Sequence, residues 1–198
     1  MADRGNLTEE QKELFEGAVQ TLERMQVLIS DLLEYGVLVD QKAPEDAVVM
    51  TDVVAEIVMD LKTYLSEADA EIAFGTLPTI QGHRSQMRML VQNMISNAVA
   101  YRRDDVRPRM MITSGAEKDG MIPIHFEDNA CGIPEDQFDK IFGVFTRLFR
   151  HEEISGSGVG LAVCKRVALN HDATITVTST MGAGSRFTLH LPKERCIT

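Results

Sequence analysis

The chain has 198 residues, 44% hydrophobic and 25% charged, with a formal net charge of −10, the composition of a soluble globular protein of one or two small domains. No run of about 18 apolar residues is present to span a membrane, the N-terminus lacks the basic and apolar blocks of a signal peptide, and no basic face marks a nucleic-acid footprint. Cys131, Cys164 and Cys196 are widely spaced with no CxxC pair, which argues for a reducing cytoplasm and against a structural zinc.

The charge is unevenly placed. Residues 1–60 carry 14 acidic and 4 basic side chains, while residues 61–198 carry 16 of each, a hint of two domains. Residues 8–40 predict one long helix. Phe15, Ala18, Leu22, Met25, Ile29, Leu32, Gly36 and Val39 recur at steps of 3 and 4, an a/d seam over about three heptads. Val19, Leu28 and Leu33 widen the stripe to that of a bundle helix. Glu9, Glu10, Glu13, Glu16 and Glu23 gather toward the start, where the helix dipole favours them. The seam has to be buried, and the chain supplies no second long helix, so its partner is expected in another chain or in a segment outside this sequence. Residues 41–50, broken by Pro44, are the expected linker.

Thr51 or Asp52 then caps a second helix carrying Val53, Val54, Ile57, Val58, Leu61 and Leu65 on one face. Residues 70–74 and 79–82 read as strands around a turn at Gly75 and Pro78. A helix is predicted from Arg84 to Tyr101 with Met87, Leu90, Val91, Met94, Ile95, Ala98 and Val99 facing a core. Asn93 and Asn97 lie four apart, so both amides project on one side. They are either solvent-exposed or oxygen ligands for a hard cation such as Mg²⁺. Residues 109–114 and 121–127 form a predicted hairpin, with Pro123 at an edge or bulge where its missing N–H is harmless. Asp128 ends a strand, as a turn residue or as an acceptor for an exocyclic amine. Gly132 permits a sharp turn, and Pro134 starts a short helix with Phe138 and Ile141.

Residues 143–155 combine Phe145, Arg147, Leu148, Phe149, Arg150 and His151 in a glycine-flanked loop, a candidate lid over a ligand. Then Ser155-Gly156-Ser157-Gly158-Val159-Gly160-Leu161 runs into a helix over 159–170. Glycines let the backbone approach closely, and a helix N-terminus favours an anion; a plain turn is the alternative. Two further strands, 173–179 and 185–191, are joined at Met181-Gly182-Ala183-Gly184. Pro192 is expected to end the fold, leaving residues 193–198 as a frayed tail.

Four signals therefore stand in one order: Asn93-x-x-x-Asn97-Ala98, Asp128-Asn129-x-x-Gly132-Ile133, Phe142-x-x-Phe145-x-Arg147 and Gly156-x-Gly158-x-Gly160-Leu161. They resemble the N, G1, F and G2 boxes of the catalytic ATP-binding domain of sensor histidine kinases, an ATPase fold shared with gyrase, Hsp90 and MutL. Upstream, Arg24-Met25-Gln26-x-Leu28-Ile29-x-Asp31-Leu32-Leu33-x-Tyr35 is similar to the second helix of the dimerisation and phosphotransfer domain. Tyr101-Arg102-Arg103 and Phe145-Thr146-Arg147-Leu148-Phe149 resemble the phytochrome-related subgroup.

The resemblance divides the chain into a remnant of the dimerisation domain, residues 1–43, and a catalytic domain, residues 50–192. It implies a two-layer α/β sandwich, a mixed sheet packed on three helices, preceded by a long N-terminal helix. ATP would lie between the asparagine helix and the lid. Asp128 would read the adenine amine, with Gly132 letting the backbone approach the base. Ser185 would support adenine through water, and Tyr101 and Ile133 would contact the nucleotide. Asn97, with Asn93, would hold Mg²⁺; Arg147 would reach the γ-phosphate. Gly156, Ser157, Gly158, Val159, Gly160 and Leu161 would wall the phosphates. Asn97 and Arg147 are the implied catalytic residues. Implied partners are an H-box helix, a response-regulator receiver domain and a second copy of the chain joined through the N-terminal helix.

The sequence also departs from the family pattern. Ala130 stands at a usual glycine of the G1 box, and Ala100 at the usual lysine after the second asparagine, whose charge Arg102 or Arg103 is a candidate to replace. Asp172 follows His171 where glycine is usual. None of His83, His125, His151, His171 and His190 has the H-box context. A kinase domain acting on a histidine elsewhere and a nucleotide-binding regulatory or pseudokinase module are thus the two readings. A serine kinase on the same fold is disfavoured by the upstream helix.

Overall fold

The computed structural model describes residues 8–40, 46–146, 148 and 157–197. The long helix α1 spans Glu9–Asp40. Its start is a capping box: the Gln11 N–H donates to Thr8 Oγ1 at 3.3 Å and the Thr8 N–H donates to Gln11 Oε1 at 3.0 Å. The seam residues Phe15, Leu22, Met25, Ile29 and Leu32 are all exposed. Near its C-terminus α1 meets the rest of the chain. Leu38 is buried, and its carbonyl accepts from Asn170 Nδ2 at 3.0 Å.

Among the described residues beyond α1 lie a main sheet, a small sheet and four α-helices. The main sheet has the order β2 (Glu71–Phe74), β4 (Arg109–Ser114), β5 (Met121–Asp128), β7 (Gly184–Pro192), β6 (Thr174–Thr180). The β2–β4 pair is parallel and the others are antiparallel, so the sheet is mixed, as expected. The helices are α2 (Met50–Asp60), α3 (Lys62–Glu67), α4 (Arg84–Ala100) and α5 (Gly160–Asn170). Strand alternation sends Ile124, Phe126, Phe187 and Leu189 into one core with Ile57, Leu90, Met94 and Val167 from the helices. This is the anticipated two-layer sandwich.

Several local expectations are corrected. Residues 46–49, expected in the linker, form β1 (Asp46–Val49), paired antiparallel with β3 (Thr79–Gly82); residues 41–45, including Pro44, lie outside the described residues. The side chains of Thr51 and Asp52 do not cap α2, which starts at Met50 without a side-chain cap. The Met50 N–H donates instead to Pro78 O at 3.2 Å, and the Thr51 hydroxyl is taken up by the backbone of Leu77, whose N–H reaches it at 3.0 Å. The second helix breaks at Leu61 into α2 and α3, and nothing local in the sequence explains the break. Pro123 lies in a central strand, not an edge. Its carbonyl accepts the Gly115 N–H at 2.9 Å, so its missing N–H faces Gly115, one residue beyond the end of β4. The tail is not frayed. Residues 193–195 make a 3₁₀ turn, and β8 (Cys196–Ile197) pairs with β3. Arg195 fixes this return: its guanidinium meets Asp172 Oδ2 at 2.5 Å and Gln81 O at 3.3 Å.

Candidate functional site

Registration of the three strands β5, β7 and β6 builds one end of the site. Inward-facing residues form cross-strand rows: Ile124, Leu189 and Ile175, then Phe126, Phe187 and Val177. The next row is polar, Asp128, Ser185 and Ser179. Asp128 Oδ1 accepts two backbone N–H groups, from Ala130 at 2.9 Å and from Ser185 at 3.2 Å. Oδ2 takes part in neither bond and is left as an acceptor for a ligand. Burial pushes the Asp128 carboxyl above its usual range, the two N–H donors draw it back, and the Glu127 carboxylate adds to the rise.

Asp128 and Ser185 line a largely apolar pocket with about 530 Å³ of empty space, its open mouth included. Asn97, Ala98 and Tyr101 come to it from α4, Gly132 and Ile133 from the loop after β5, Leu161 from α5, and Thr146 and Leu148 from the segment before the glycine loop. Seven of the expected residues thus converge: Asn97, Tyr101, Asp128, Gly132, Ile133, Leu161 and Ser185. Behind Phe187 the Phe142 ring packs edge-on at 6.4 Å between centroids, with Lys165 Nζ 5.9 Å above it.

The remaining candidates sit around this pocket. Asn93 does not line it. Its Nδ2 donates to Met89 O at 2.9 Å, and its Oδ1 lies 2.5 Å from where a side chain on Gly160 would begin. Glycine at 160 therefore lets the start of α5 close on α4. Ser157 Oγ accepts the Val159 N–H at 3.2 Å, Gly158 turns at φ 73°, and Val159 is buried beneath the helix start. Gly132 is fixed by its own fold: at φ 79°, a Cβ would fall 2.2 Å from Thr180 O. Arg147 and Gly156 lie outside the described residues, as do Phe149, Arg150 and His151 of the expected lid. Arg102 and Arg103 do not replace the charge missing at Ala100. Arg102 donates to Val99 O at 3.1 Å; Arg103 donates to Gly182 O and pairs with Asp105 at 3.3 Å. Neither reaches the pocket lining.

Three supporting residues escaped the sequence reading. Asn129 clamps the chain before β4, its Oδ1 accepting the Arg109 N–H at 2.8 Å and its Nδ2 donating to Arg107 O at 2.9 Å. Cys131 ties α4 to the β6–β7 turn, donating its N–H to Tyr101 O at 3.0 Å and accepting from the Gly182 N–H at 2.7 Å. Ser179 accepts the Ile133 N–H at 2.8 Å, donates to Gly184 O at 2.7 Å and lies 3.0 Å from Ser185 Oγ. That role follows from the register that sets Ser179 opposite Ser185, which no local pattern marks.

A mixed sheet backed by helices, with a half-satisfied carboxylate in a largely apolar slot beside a glycine-led helix start, defines a nucleotide-binding α/β sandwich. The family model for histidine kinase-, DNA gyrase B-, and HSP90-like ATPases matches residues 82–195. The chain belongs to that family, and its matched region is an ATP-binding domain of the histidine-kinase type. The phytochrome-like protein Cph1 of Synechocystis sp. is 32% identical over 186 residues, 94% of this chain and 25% of that protein. Two solved structures share the fold. Full-length ShkA in complex with AMPPNP aligns with a TM-score of 0.72 at 22% identity, covering 95% of this chain and 40% of that one. Histidine kinase ThkA in complex with the response regulator TrrA aligns with a TM-score of 0.70 at 16% identity, covering 96% and 54%. The chain spans about a quarter of the length of the curated phytochrome relatives. No helix among the described residues is long and apolar enough to cross a membrane.

Proposed function

We propose that this chain is the ATP-binding catalytic part of a cytoplasmic two-component histidine kinase. It transfers the γ-phosphate of ATP to a histidine on an H-box helix outside this segment, for relay to a response-regulator receiver domain. The catalytic domain, read as residues 50–192, gains β1 and β8 at its ends, and residues 1–43 supply the dimerisation helix. The exposed seam of α1 supports pairing with a second copy.

The observation that carries the reading is Asp128: Oδ1 saturated by backbone donors, Oδ2 available in an apolar slot. An adenine amine satisfies that acceptor while the ring takes the apolar walls. Tyr101, Gly132, Ile133 and Ser185 complete the base end. Ser157, Gly158, Val159, Gly160 and Leu161, with Gly156, form the phosphate end at the start of α5, where a helix N-terminus favours an anion. Asn97 offers an amide oxygen of the hard kind that Mg²⁺ takes beside phosphate oxygens, with Asn93 one turn away. When bound, the ion would neutralise phosphate charge. Arg147 would reach the γ-phosphate from the lid. Asn97 and Arg147 position and neutralise, which is most of what phosphoryl transfer asks of a protein.

A regulatory, catalytically silent module is the second reading, favoured by Ala100, Ala130 and the engagement of Arg102 and Arg103 away from the pocket. Incubation with γ-labelled ATP and a supplied H-box domain separates the two. Acid-labile label on that domain supports the kinase; ATP binding without transfer, where a related intact kinase works, leaves the regulatory module.

A further inference from the structure

We infer that Ser179, on the strand beyond the pocket, sets the purine selectivity of the site by holding the hydroxyl proton of Ser185 away from the ligand. The inference rests on the reading of the pocket as an ATP site and goes beyond it to a positioning residue. A serine hydroxyl has one proton and two lone pairs. Ser179 donates its proton to Gly184 O at 2.7 Å, and one lone pair accepts the Ile133 N–H at 2.8 Å. One lone pair is left to meet Ser185 Oγ at 3.0 Å. Ser185 is therefore the donor in that contact, and its proton is committed inside the protein.

The consequence falls on the pocket side. Ser185 Oγ offers a ligand only lone pairs. The Ser185 N–H is committed to Asp128 Oδ1 at 3.2 Å, and Asp128 Oδ2 is an acceptor only when the carboxyl is ionised. The row Asp128–Ser185 thus presents acceptors and no donor. A purine with an amine at C6 supplies donors to this row. One with a carbonyl at C6 brings acceptors to acceptors and leaves polar groups unpaired. Ser179 touches no ligand in this scheme. It acts through Ser185, and it also tethers Ile133 and Gly184, the two backbone points that flank the row.

The test compares dissociation constants for ATP and ITP, which differ at C6 and N1, in the whole chain and its variants. The unaltered chain should prefer ATP. Ser179→Ala frees the Ser185 hydroxyl to turn its proton into the pocket, and the preference should fall about tenfold, the worth of one mispaired hydrogen bond. Ser179→Thr, which keeps the hydroxyl, should restore it. In a Ser185→Ala background, adding Ser179→Ala should leave the ratio where it was. Equal weakening of both nucleotides by Ser179→Ala, or an unchanged ratio, makes Ser179 merely structural and overturns the inference. So does an unaltered chain that binds ATP and ITP alike. Binding of neither nucleotide would instead bring down the ATP-site reading itself, a distinguishable result.

Discussion

Replacing Asp128 by Asn tests the base end of the site with little disturbance to its frame. The amide oxygen can take the place of Oδ1 and still accept from Ala130 and Ser185, at 2.9 and 3.2 Å in the native chain. The NH₂ group then stands where Oδ2 stood, so a donor faces the donor amine of adenine. A hydrogen bond to a charged group is worth about 1.5–3 kcal/mol, and its loss predicts ATP binding weaker by about ten- to a hundredfold. Stability moves the other way. Because folding raises the Asp128 pKa, its carboxyl supports the fold fully only when protonated, below its ordinary value of 3.8; that support is lost as pH rises through the folded value. The variant has no such loss. In the absence of nucleotide, its Tm relative to the native chain should therefore be more favourable at pH 7 than at pH 3. Isothermal titration with ATP and Mg²⁺, paired with melting curves at the two pH values, measures both effects. An affinity within twofold of native would refute the assignment of Asp128 to the base.

Gly160→Ala places a methyl 2.5 Å from Asn93 Oδ1, overpacking the α4–α5 contact; the urea midpoint should fall by an amount equivalent to about 1–3 kcal/mol, with ATP affinity reduced. At position 172, strain and charge can be separated. Asp172 holds φ 52° and pairs with Arg195 at 2.5 Å, with 73% of its side chain exposed. Such a pair is worth at most about 1 kcal/mol, so Asp172→Gly, which relieves the left-handed strain, should be near neutral. Asp172→Ala keeps the strain and loses the pair, and should be less stable than the glycine variant by about 1 kcal/mol. Equal urea midpoints for the two would remove the strain argument.

What was legible in the chain was local. The 3.6-residue period of α4 put Asn97 on the face that meets the pocket, and the Gly-x-Gly spacing before α5 marked a tight helix entry. Two-residue alternation identified β6 and β7 and the turn between them. The strand at 46–49 and the return at 196–197 were not legible, because both are very short and owe their form to pairing with β3. The capping of α2 was misread for a similar reason: Thr51 is a good cap by type, but the turn at Leu77 uses its hydroxyl. Arg103 resembled a free charge near the pocket, and only the fold shows that the Gly182 carbonyl claims it. Ser179 looked ordinary because its role depends on a register between strands that no local pattern prints.

That register also explains how the two ends of the site differ physically. Slipping β5 against β7 by one residue would turn Ile124 and Phe126 outward and leave the core open. Hydrophobic packing therefore fixes the pairing, and the pairing brings Asp128 opposite Ser185. The base end is thus preorganised largely from behind: of Ile124, Phe126, Phe187 and Leu189 only Phe187 lines the pocket. The proposed phosphate end rests on turns instead: Gly158 at φ 73°, the close approach of Gly160 to Asn93, and an exposed Phe145 held at φ 63°. A bulky residue in that region is costly, and the cost lies in the segment before the glycine loop rather than in the sheet. Substitutions at Ile124, Phe126 and Leu189, behind the pocket, should consequently alter nucleotide affinity through global stability, whereas substitutions in the turns should alter it with the base contacts intact.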